Sequence, residues 1–435
     1  MLQQVTYPTQ PLAPRLQAIL GRRSGVPEEV EQTVRQILRQ VREGGDRAVA
    51  EITARVDRVS LAPGQFRAPE AALERAAAGL SAELAAAMDE AMANIRSFHE
   101  HQRVTSWFVE DGDGVILGRK VTPVERAGIC VPAGEAPLFS SLLMAAIPAQ
   151  VAGVEQICVV SPPQVDGLPH PLIMAAAWRV GVREVYAVGG AQAVAALAYG
   201  TESMPAVDVI VGPGSPYTVA AQQQVFGRVG VAMLPGPSEI AVLADDSADP
   251  SYVAADLLSQ AEHGWDVASV CITPSAELAA QVQRQVERQL DGLPRADAAR
   301  RALEAYGAVV LVPDLERGAE LLNRMAPEHA ELLVREPWAW LDRVRSAGAI
   351  FLGPAATEPV GDYLAGTNHI LPTNGAARYA SSLGVASFLK SSSIVGYTQR
   401  RLERTGPRIA LLARAEGLEA HARAVEIRLA RGGSA

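Results

Sequence analysis

Lysine is the scarcest charged residue in this sequence. Lys120 and Lys390 are the two lysines among 39 basic side chains in a chain of 435 residues. Neither lies in the Gly-x-x-x-x-Gly-Lys-Ser/Thr frame of a phosphate-binding P-loop, which excludes that class of nucleotide-binding protein. Schiff-base chemistry would have only the same two candidates. The net charge of −9 also argues against the phosphate backbone of a nucleic acid as the main partner.

Cysteine and long apolar runs are scarce as well. Cys130, Cys158 and Cys271 lie far apart beside apolar or β-branched residues, which favours buried structural thiols over a disulfide framework or a thiolate zinc site. No stretch reaches the roughly 18 to 20 apolar residues of a membrane span, and the first residues lack the pattern of a signal peptide. We therefore expect a cytoplasmic protein with neither a membrane nor a nucleic acid as its partner.

The order of apolar patterns predicts an α/β protein with a helical beginning. Helices are predicted at 27–41, 47–56 and 69–101. Strands then alternate with helices at the spacing of βαβ units, which is typical of a parallel sheet. The predicted strands are 115–117, 128–131, 156–160, 184–188, 207–211, 239–244, 268–273, 308–312 and 347–352. The chain is predicted to be rich in loops from Gly353 to about Gly384, and to end in a helix that reaches Leu429.

Three predicted strand ends, at 129–134, 188–193 and 211–215, run into glycine-containing turns that precede helices. Ligands of open parallel sheets bind beyond the carboxyl ends of the strands, where helix amino termini can face a phosphate. A nucleotide cofactor would fit such a position. None of the turns is Gly-x-Gly-x-x-Gly, however, and each one alone is more commonly an ordinary connection between a strand and a helix.

Two pairs of polar residues stand out in the second α/β series. Gln260 and His263 are three residues apart near a predicted helix end, a spacing that can present two metal ligands, although a histidine there more commonly interacts with the helix dipole. Glu328 and His329 open a segment predicted to be a helix that starts with a proline. The positive helix end would lower the pKa of His329 and leave the neutral imidazole that a general base needs. A structural role for this pair stays equally open.

Further candidates lie near the end of the chain. Asp362 and His369 belong to a polar, glycine-rich segment without periodicity, the kind of ordered loop that often carries function. Glu416 and His421 lie on an alanine- and arginine-rich helix, where a solvated helix face is the ordinary interpretation. Imidazoles with carboxylate and amide oxygens suit zinc or a related divalent ion. Chain position alone does not show that these residues converge.

Seven motifs, taken in order, resemble the histidinol dehydrogenase family over nearly the whole chain. The two most specific are Ser-Gln-Ala-Glu-His-Gly and Ala-Pro-Glu-His. The segments that carry the resemblance are 119–123, 137–141, 189–193, 236–239, 258–264, 326–329 and 366–373.

The resemblance implies an activity and an architecture. The activity is the NAD-linked oxidation of L-histidinol through L-histidinal to L-histidine, which completes histidine biosynthesis. The fold is implied to be two Rossmann-like α/β domains, incomplete and doubly wound, with a helical N-terminal segment and small C-terminal helical domains in an intertwined homodimer. The implied divisions are 1–24 as a segment that packs with the C-terminal part, 25–127 with 237–380 as the first α/β domain, 128–236 as the second α/β domain on the nucleotide side, and 381–435 as an arm that reaches the partner subunit.

The resemblance also implies the role of each site residue. One Zn²⁺ per subunit would be held by Gln260, His263, Asp362 and His421, with NAD⁺ as cosubstrate. Glu328 and His329 would be the acid/base pair. The substrate would be contacted by Ser238, Gln260, His263, His329, Asp362, Glu416 and His421. Glu416 and His421 would act in the site of the neighbouring subunit. The cofactor would be contacted at Cys130, Gln192 and Ser215.

The sequence departs from the family on the cofactor side. Cys130 and Ala133 replace a tyrosine and a glycine of the family's Tyr-Val-Pro-Gly-Gly segment, and Ser215 replaces the asparagine of Gly-Pro-Gly-Asn. Affinity for NAD, or the choice of nicotinamide cofactor, is the property these changes would affect. Competing interpretations are a related zinc- and NAD-dependent dehydrogenase for another alcohol, such as a sulfopropanediol, a zinc hydrolase in which Glu328 activates water, and a silent binding protein.

Overall fold

The structure is a computed structural model that describes residues 2–22, 26–133, 136–234 and 236–432. Its chain divides into two compact units. The larger unit consists of Met1–Gln102 and Val124–Phe388, and the smaller unit of Arg103–Pro123 and Leu389–Ala435. The four-part division given above stays a prediction.

Strands and helices alternate along most of the described chain. The strands are β1 Gln3–Thr6, β2 Trp107–Glu110, β3 Val115–Pro123, β4 Arg126–Cys130, β5 Gln156–Val160, β6 Glu184–Tyr186, β7 Val209–Val211, β8 Gly230–Val231, β9 Glu239–Ala244, β10 Ala268–Thr273, β11 Ala308–Leu311, β12 His329–Leu333, β13 Ala349–Leu352 and β14 Leu389–Tyr397. The helices are α1 Pro14–Leu20, α2 Glu28–Val56, α3 Glu70–Ala78, α4 Ala82–Glu100, α5 Phe139–Ala152, α6 Pro171–Val180, α7 Gly190–Tyr199, α8 Pro216–Val225, α9 Pro250–Ala261, α10 Ala276–Leu290, α11 Ala296–Tyr306, α12 Leu315–Met325, α13 Pro337–Trp340, α14 Glu358–Tyr363, α15 Gln399–Ala415 and α16 Glu419–Gly432.

The larger unit contains a six-stranded parallel sheet in the order β1-β11-β10-β9-β12-β13. Every residue of β9 and β10 is buried, as expected for continuous apolar strands that helices cover on both faces. Helices α9, α10 and α11 supply the core on one face, and α1 and α12 supply it on the other. This sheet carries Glu239 and His329 as the first residues of β9 and β12.

A five-stranded parallel sheet in the order β6-β5-β4-β7-β8 forms the other half of the larger unit. Helices α2, α7 and α8 bury their apolar residues against it. Strand β4 ends at Cys130, and β7 ends at Val211 just before the turn that begins α8. Two of the three predicted cofactor residues, Cys130 and Ser215, therefore lie at or just beyond the carboxyl ends of adjacent strands, and the third, Gln192, lies in α7.

The smaller unit is built from an antiparallel sheet and a helical hairpin. The sheet has the order β14-β3-β2. Helices α15 and α16 approach closely at Gly406, where an added Cβ would lie 2.9 Å from a methyl group of Leu429. Many large apolar side chains of this unit are exposed: Trp107, Phe108, Val109, Ile116, Leu117, Val395, Tyr397, Ile409, Leu411, Leu412, Leu418 and Ile427.

The α/β prediction is confirmed, and strands β5, β9 and β10 have the predicted bounds. The predicted helix after Pro327 is wrong, because His329–Leu333 forms the buried strand β12. Strands β1 and β14 and helix α11 were not predicted. The first two predicted helices form one element, α2, with non-helical backbone at Gly45. All three cysteines are free and buried, as predicted.

We find no helix with both the length and the apolar character needed to cross a bilayer in residues 2–22, 26–133, 136–234 and 236–432.

Candidate functional site

The predicted acid/base pair lies at the amino ends of two adjacent parallel strands. Cα of His329, the first residue of β12, is in register with Ile240 of β9. The backbone N–H of Glu239 donates to Oε2 of Glu328 at 3.1 Å, and Nδ1 of His329 lies 3.1 Å from the backbone oxygen of Glu239. One residue of β9 therefore fixes both members of the pair through its backbone.

That second contact settles the tautomer of His329. A carbonyl oxygen can only accept, so Nδ1 carries the proton and the lone pair lies on Nε2. Nε2 is buried and has no hydrogen-bond partner among the residues that the structure describes. A neutral imidazole with a free nitrogen in a buried position is the arrangement that a general base requires.

Burial governs the charge of both residues. Desolvation lowers the pKa of His329 to about 3 and raises the pKa of Glu328 well above its ordinary value. The neutral imidazole was predicted correctly, but the predicted cause is wrong. No helix begins at Pro327, and the low pKa comes from burial at the start of a strand.

Glu239 adds a second buried carboxyl group to this position. Its pKa is raised to about 7, first because of desolvation, against the opposing effect of Arg22. Nη1 of Arg22 lies 3.7 Å from Oε1 of Glu239, and the backbone N–H of Asn374 donates to Oε2 at 3.1 Å. Sequence analysis missed Glu239 as a site residue. A glutamate at the first position of an otherwise apolar strand was the available signal.

A second cluster gathers possible metal ligands. His263, Glu358 and Asp362 each offer a ligand atom, and these atoms lie within 4.8 Å of one another. Burial raises the pKa of Asp362 to about 6 and that of Glu358 to about 7. Asp362 lies in helix α14, although its segment was predicted to be a loop. Glu358 was not predicted as a ligand, and the structure brings it beside two residues that were.

Gln260 shows that this region suits a cation with nitrogen and oxygen ligands. Its side chain is fully buried near the end of α9, and neither of its polar atoms has a hydrogen-bond partner within the described part of the chain. An unsatisfied buried amide is costly, and it calls for a ligand or another functional explanation. The following helix end differs from the prediction, because α9 ends at Ala261 and His263 lies beyond it.

His369 borders the same cluster. Its Nδ1 lies 3.1 Å from the backbone oxygen of Asp362, and its Nε2 lies 3.0 Å from Oγ of Ser141. Burial lowers its pKa to about 4, so it is a neutral residue that ties α5 to the segment after α14. Because both ring nitrogens have partners, His369 is better described as a support than as a ligand.

Two predicted site residues belong to the smaller unit. Glu416 follows α15 at its C-terminal cap, and His421 lies in α16. Both side chains are exposed. Their assignment to the metal and substrate site stays a prediction.

The predicted cofactor residues all lie in the half with the five-stranded sheet. Cys130 is buried, and burial raises the pKa of its thiol to about 12. Gln192 is buried in α7 and donates to Oδ2 of Asp57 at 3.3 Å. Ser215 caps α8, with its hydroxyl oxygen accepting from the backbone N–H of Thr218 at 3.4 Å. Gly134, in the first predicted glycine turn, lies outside the described residues.

Ser238 immediately precedes β9 and is partly buried. Its backbone oxygen accepts from the N–H of Ala268 at 3.2 Å. This places it one residue before Glu239, which contacts both Glu328 and His329. The chain position of Ser238 is therefore compatible with its predicted substrate contact.

The fold and site together define a class: an α/β protein of parallel sheets, with a buried acid/base pair and a nearby group of nitrogen and oxygen ligands. A family model described as histidinol dehydrogenase matches residues 20–429. The histidinol dehydrogenase of Geobacillus kaustophilus is 50% identical over 405 residues, covering 93% of this chain and 95% of that protein. The histidinol dehydrogenase of Syntrophotalea carbinolica is 46% identical over 429 residues, covering 99% of this chain and 99% of that protein.

A solved structure gives the same result. The crystal structure of histidinol dehydrogenase from Elizabethkingia anophelis matches with a TM-score of 0.93 at 36% identity, covering 100% of this chain and 99% of that chain. This chain belongs to the histidinol dehydrogenase family.

Proposed function

We propose that this protein oxidises L-histidinol to L-histidine in two hydride transfers to NAD⁺, with L-histidinal between them and with a zinc ion in the site. The observation that carries the proposal is the buried, neutral His329 with Nε2 free, in a chain of the histidinol dehydrogenase family. An alcohol oxidation needs such a base, because the hydroxyl proton must leave together with the hydride.

In the first half of the reaction, Nε2 of His329 takes the hydroxyl proton as the hydride leaves the alcohol carbon for the nicotinamide. The products of this half are the aldehyde, NADH and one proton. The hydride chemistry belongs to the cofactor, and the protein supplies position and electrostatics. The backbone oxygen of Glu239 keeps the imidazole in the required tautomer and stabilises the imidazolium formed.

The second half begins with water. Glu328 would take a proton from a water molecule that adds to the aldehyde carbon, which gives the hydrate. Loss of the second hydride from that hydrate to NAD⁺ then yields the carboxylic acid, a second NADH and a proton. Burial raises the pKa of Glu328 well above its ordinary value, which makes its carboxylate a stronger base toward this water molecule.

Gln260, His263 and Asp362 are the residues of this chain that would hold the zinc ion, with Glu358 beside them. Their amide oxygen, imidazole and carboxylate are ligand types that zinc accepts. When bound, the ion would supply a fixed point for the imidazole and amino nitrogens of the substrate. Orientation of the alcohol carbon toward His329 follows from that fixed point.

We also include in the proposal a homodimer in which Glu416 and His421 complete the site of the partner subunit. Their exposure in the smaller unit supports it, as do the many exposed apolar side chains of that unit. Such a concentration of exposed apolar side chains favours a protein interface.

The cofactor would bind at the five-stranded sheet. Its strand order starts in the middle at β4, proceeds to β5 and β6, and then continues on the other side with β7 and β8, which is the order of an incomplete Rossmann-like fold. Cys130 and Ser215 follow β4 and β7, the two strands at the point where the order reverses. Ligands of such sheets bind there.

The test is a stoichiometric assay with matched protein variants. Zinc-loaded protein is mixed with limiting L-histidinol and excess NAD⁺, and the nicotinamide absorbance is followed to completion. We expect two NADH per histidinol, and no reduction of either NAD⁺ or NADP⁺ would contradict the proposal. NADH formation with a sulfopropanediol, with histidinol inert, would support the related alcohol dehydrogenase.

Gln260→Met is the matched variant for the metal. It replaces an unsatisfied buried amide by an apolar side chain of similar size, so we expect the metal-free protein to gain about 1 to 3 kcal/mol of stability. Zinc binding and activity should be lost at the same time. Unchanged zinc affinity, measured against a chromophoric chelator, would exclude Gln260 as a ligand.

A further inference from the structure

Two buried carboxyl groups that the proposed reaction does not use lie behind the metal-ligand cluster. Glu331 in β12 is fully buried, and Asp256 in α9 is 7% exposed. The two carboxyl groups lie close enough for each to influence the pKa of the other, and Oε2 of Glu331 is buried without a hydrogen-bond partner among the other described residues. Burial raises the pKa of both residues, that of Glu331 well above its ordinary value.

Both groups hold the amino end of helix α14. Oε1 of Glu331 accepts from the backbone N–H of Glu358 at 2.9 Å. Oδ1 of Asp256 accepts from the hydroxyl of Thr357 at 2.6 Å. Glu358 is the first residue of the helix, so its N–H has no partner within the helix. The next residue is Pro359, which has no N–H at all.

The cap of this helix is therefore unusual. Thr357 occupies the N-cap position, where a threonine side chain ordinarily accepts from the helix backbone, but here it makes no side-chain cap bond. Its hydroxyl donates to Asp256 instead. Residues of α9 and β12 thus provide the hydrogen-bond partners for the polar groups at the start of α14. The same two elements carry Gln260 and His329.

A third contact links the same elements. Oγ of Ser259 in α9 donates to Oε2 of Glu358 at 3.0 Å. Asp256 and Gln260 are four residues apart in α9 and share one face of the helix. On this part of α9, Ser259 and Asp256 hydrogen-bond to the start of α14, the short helix that also carries Asp362.

We propose that Asp256 and Glu331 are a positioning pair that sets the place of Glu358 and Asp362, and thereby the affinity of this site for its divalent cation. The inference rests on the proposed function, because it takes the cluster around His263 to be the metal site. Outer residues that orient metal ligands typically change metal affinity or activity by about 10- to 100-fold when removed.

The experiment is a zinc titration of the metal-free, full-length protein against a chromophoric chelator. Glu331→Leu should weaken zinc binding by about 10- to 100-fold. Glu331→Gln should stay within about threefold of native, because its amide oxygen can accept from Glu358 while its N–H donates to Asp256. Thr357→Val removes the hydrogen bond to Asp256 and leaves the one from Glu358 to Glu331. Its zinc affinity should lie between those of Glu331→Leu and Glu331→Gln.

A buried carboxyl group elsewhere provides the control. Asp46 is 5% exposed and accepts from the hydroxyl of Ser203 at 3.0 Å, without contact to the cluster. Asp46→Leu should lower the melting temperature and leave zinc affinity unchanged. A second readout is hydrogen exchange of the peptide that spans 357–363, which should become faster in metal-free Glu331→Leu and stay slow in Glu331→Gln.

The possible failures are distinguishable. If the native chain binds no zinc beyond the level of Gln260→Met, the proposed metal site itself is wrong. The positioning role is wrong, with the metal site unaffected, if folded Glu331→Leu binds zinc as tightly as the native protein. It is also wrong if Glu331→Leu and Glu331→Gln lose the same amount of zinc affinity. If Glu331→Leu does not fold, Thr357→Val decides, and native affinity in that variant overturns the inference.

Discussion

The two parallel sheets of the larger unit share a strand order but differ in the end that carries chemistry. In each, the series begins with a central strand, β9 or β4, extends to one side and then continues on the other. The candidate acid/base pair lies at the amino ends of β9 and β12, whereas the predicted cofactor residues lie at or beyond the carboxyl ends of strands: Cys130 ends β4, Gln192 lies in the helix after β6, and Ser215 follows β7. Ligands of open parallel sheets usually bind beyond the carboxyl ends of the strands, and only the predicted cofactor residues follow that rule.

The amino ends of strands offer something that the carboxyl ends do not. The first backbone N–H of a strand is available to a carboxylate, and Glu328 accepts from that of Glu239. The two halves also differ in how their polar groups are satisfied. Gln260 and Nε2 of His329 lack partners in the described chain, while Gln192 and Ser215 have partners within their own half. Among the predicted site residues, those with unsatisfied buried atoms lie in the half with the six-stranded sheet.

Substitutions in the two halves should therefore have effects of different size and kind. His329→Asn removes the free base nitrogen, so we expect kcat to fall by about 10²- to 10⁴-fold, with KM for histidinol changed by less than about threefold. Steady-state kinetics on zinc-loaded protein measure both constants. A rise in KM as large as the loss in kcat would make His329 a binding or packing residue.

Gln192→Ala is the matched variant from the half with the five-stranded sheet, where the cofactor is proposed to bind. Loss of one hydrogen bond is worth about 0.5 to 1.5 kcal/mol, so KM for NAD⁺ should rise about three- to tenfold with little change in kcat. A larger loss of kcat in this variant than in His329→Asn would reverse the comparison between the halves.

Glu239 should make the stability of the protein depend on pH, whereas the substituted residues of the five-stranded half should not. Its folded pKa of about 7 exceeds the ordinary value, so the folded state binds this proton more tightly than the unfolded state. The stabilisation is complete below about pH 4.5 and is lost as pH rises through about 7, a change of about 3 kcal/mol. Glu239→Gln has no such proton to lose.

We expect the stability of Glu239→Gln relative to native to increase by about 3 kcal/mol from pH 4.5 to 8. Urea unfolding of the metal-free proteins at several pH values measures this difference. Parallel pH profiles for the two proteins would mean that Glu239 is ionised in the fold throughout. Ser215→Ala, from the other half, should show a pH profile parallel to native.

Much of the fold follows from local pattern. The bounds of β5, β9, β10 and α10 follow from apolar runs or amphipathic periodicity between turn residues. Strand β12 was mistaken for a helix, because Pro327 and the acidic residue after it are typical of a helix start, while tertiary burial of all five strand residues outweighs that local preference. Edge strand β1 escaped prediction because its partner β11 lies 305 residues further along the chain.

Sequence reasoning singled out two residues of the candidate metal-ligand cluster but not their arrangement. His263 and Asp362 were singled out by residue type and by the family resemblance, yet their approach depends on the packing of α14 beside α9. Glu358 and Glu331 were overlooked for the same reason. A carboxylate within an apolar strand gives a signal of burial, but only the fold shows that Glu331 meets Asp256 and the first N–H of α14.

The smallest expected effect lies at Ser215, where the cofactor half departs from its family. Its hydroxyl caps α8 through a long 3.4 Å hydrogen bond, so Ser215→Ala should cost about 0.5 to 1 kcal/mol of unfolding free energy. Ser215→Asn keeps a good cap and introduces the asparagine that the family resemblance implies at this position, whose amide offers a bound cofactor a hydrogen-bond donor. It should therefore retain native stability and lower KM for NAD⁺ by about three- to tenfold, the worth of one hydrogen bond. An unchanged KM in a stable Ser215→Asn protein would mean that the turn after β7 caps a helix and does not contact the cofactor.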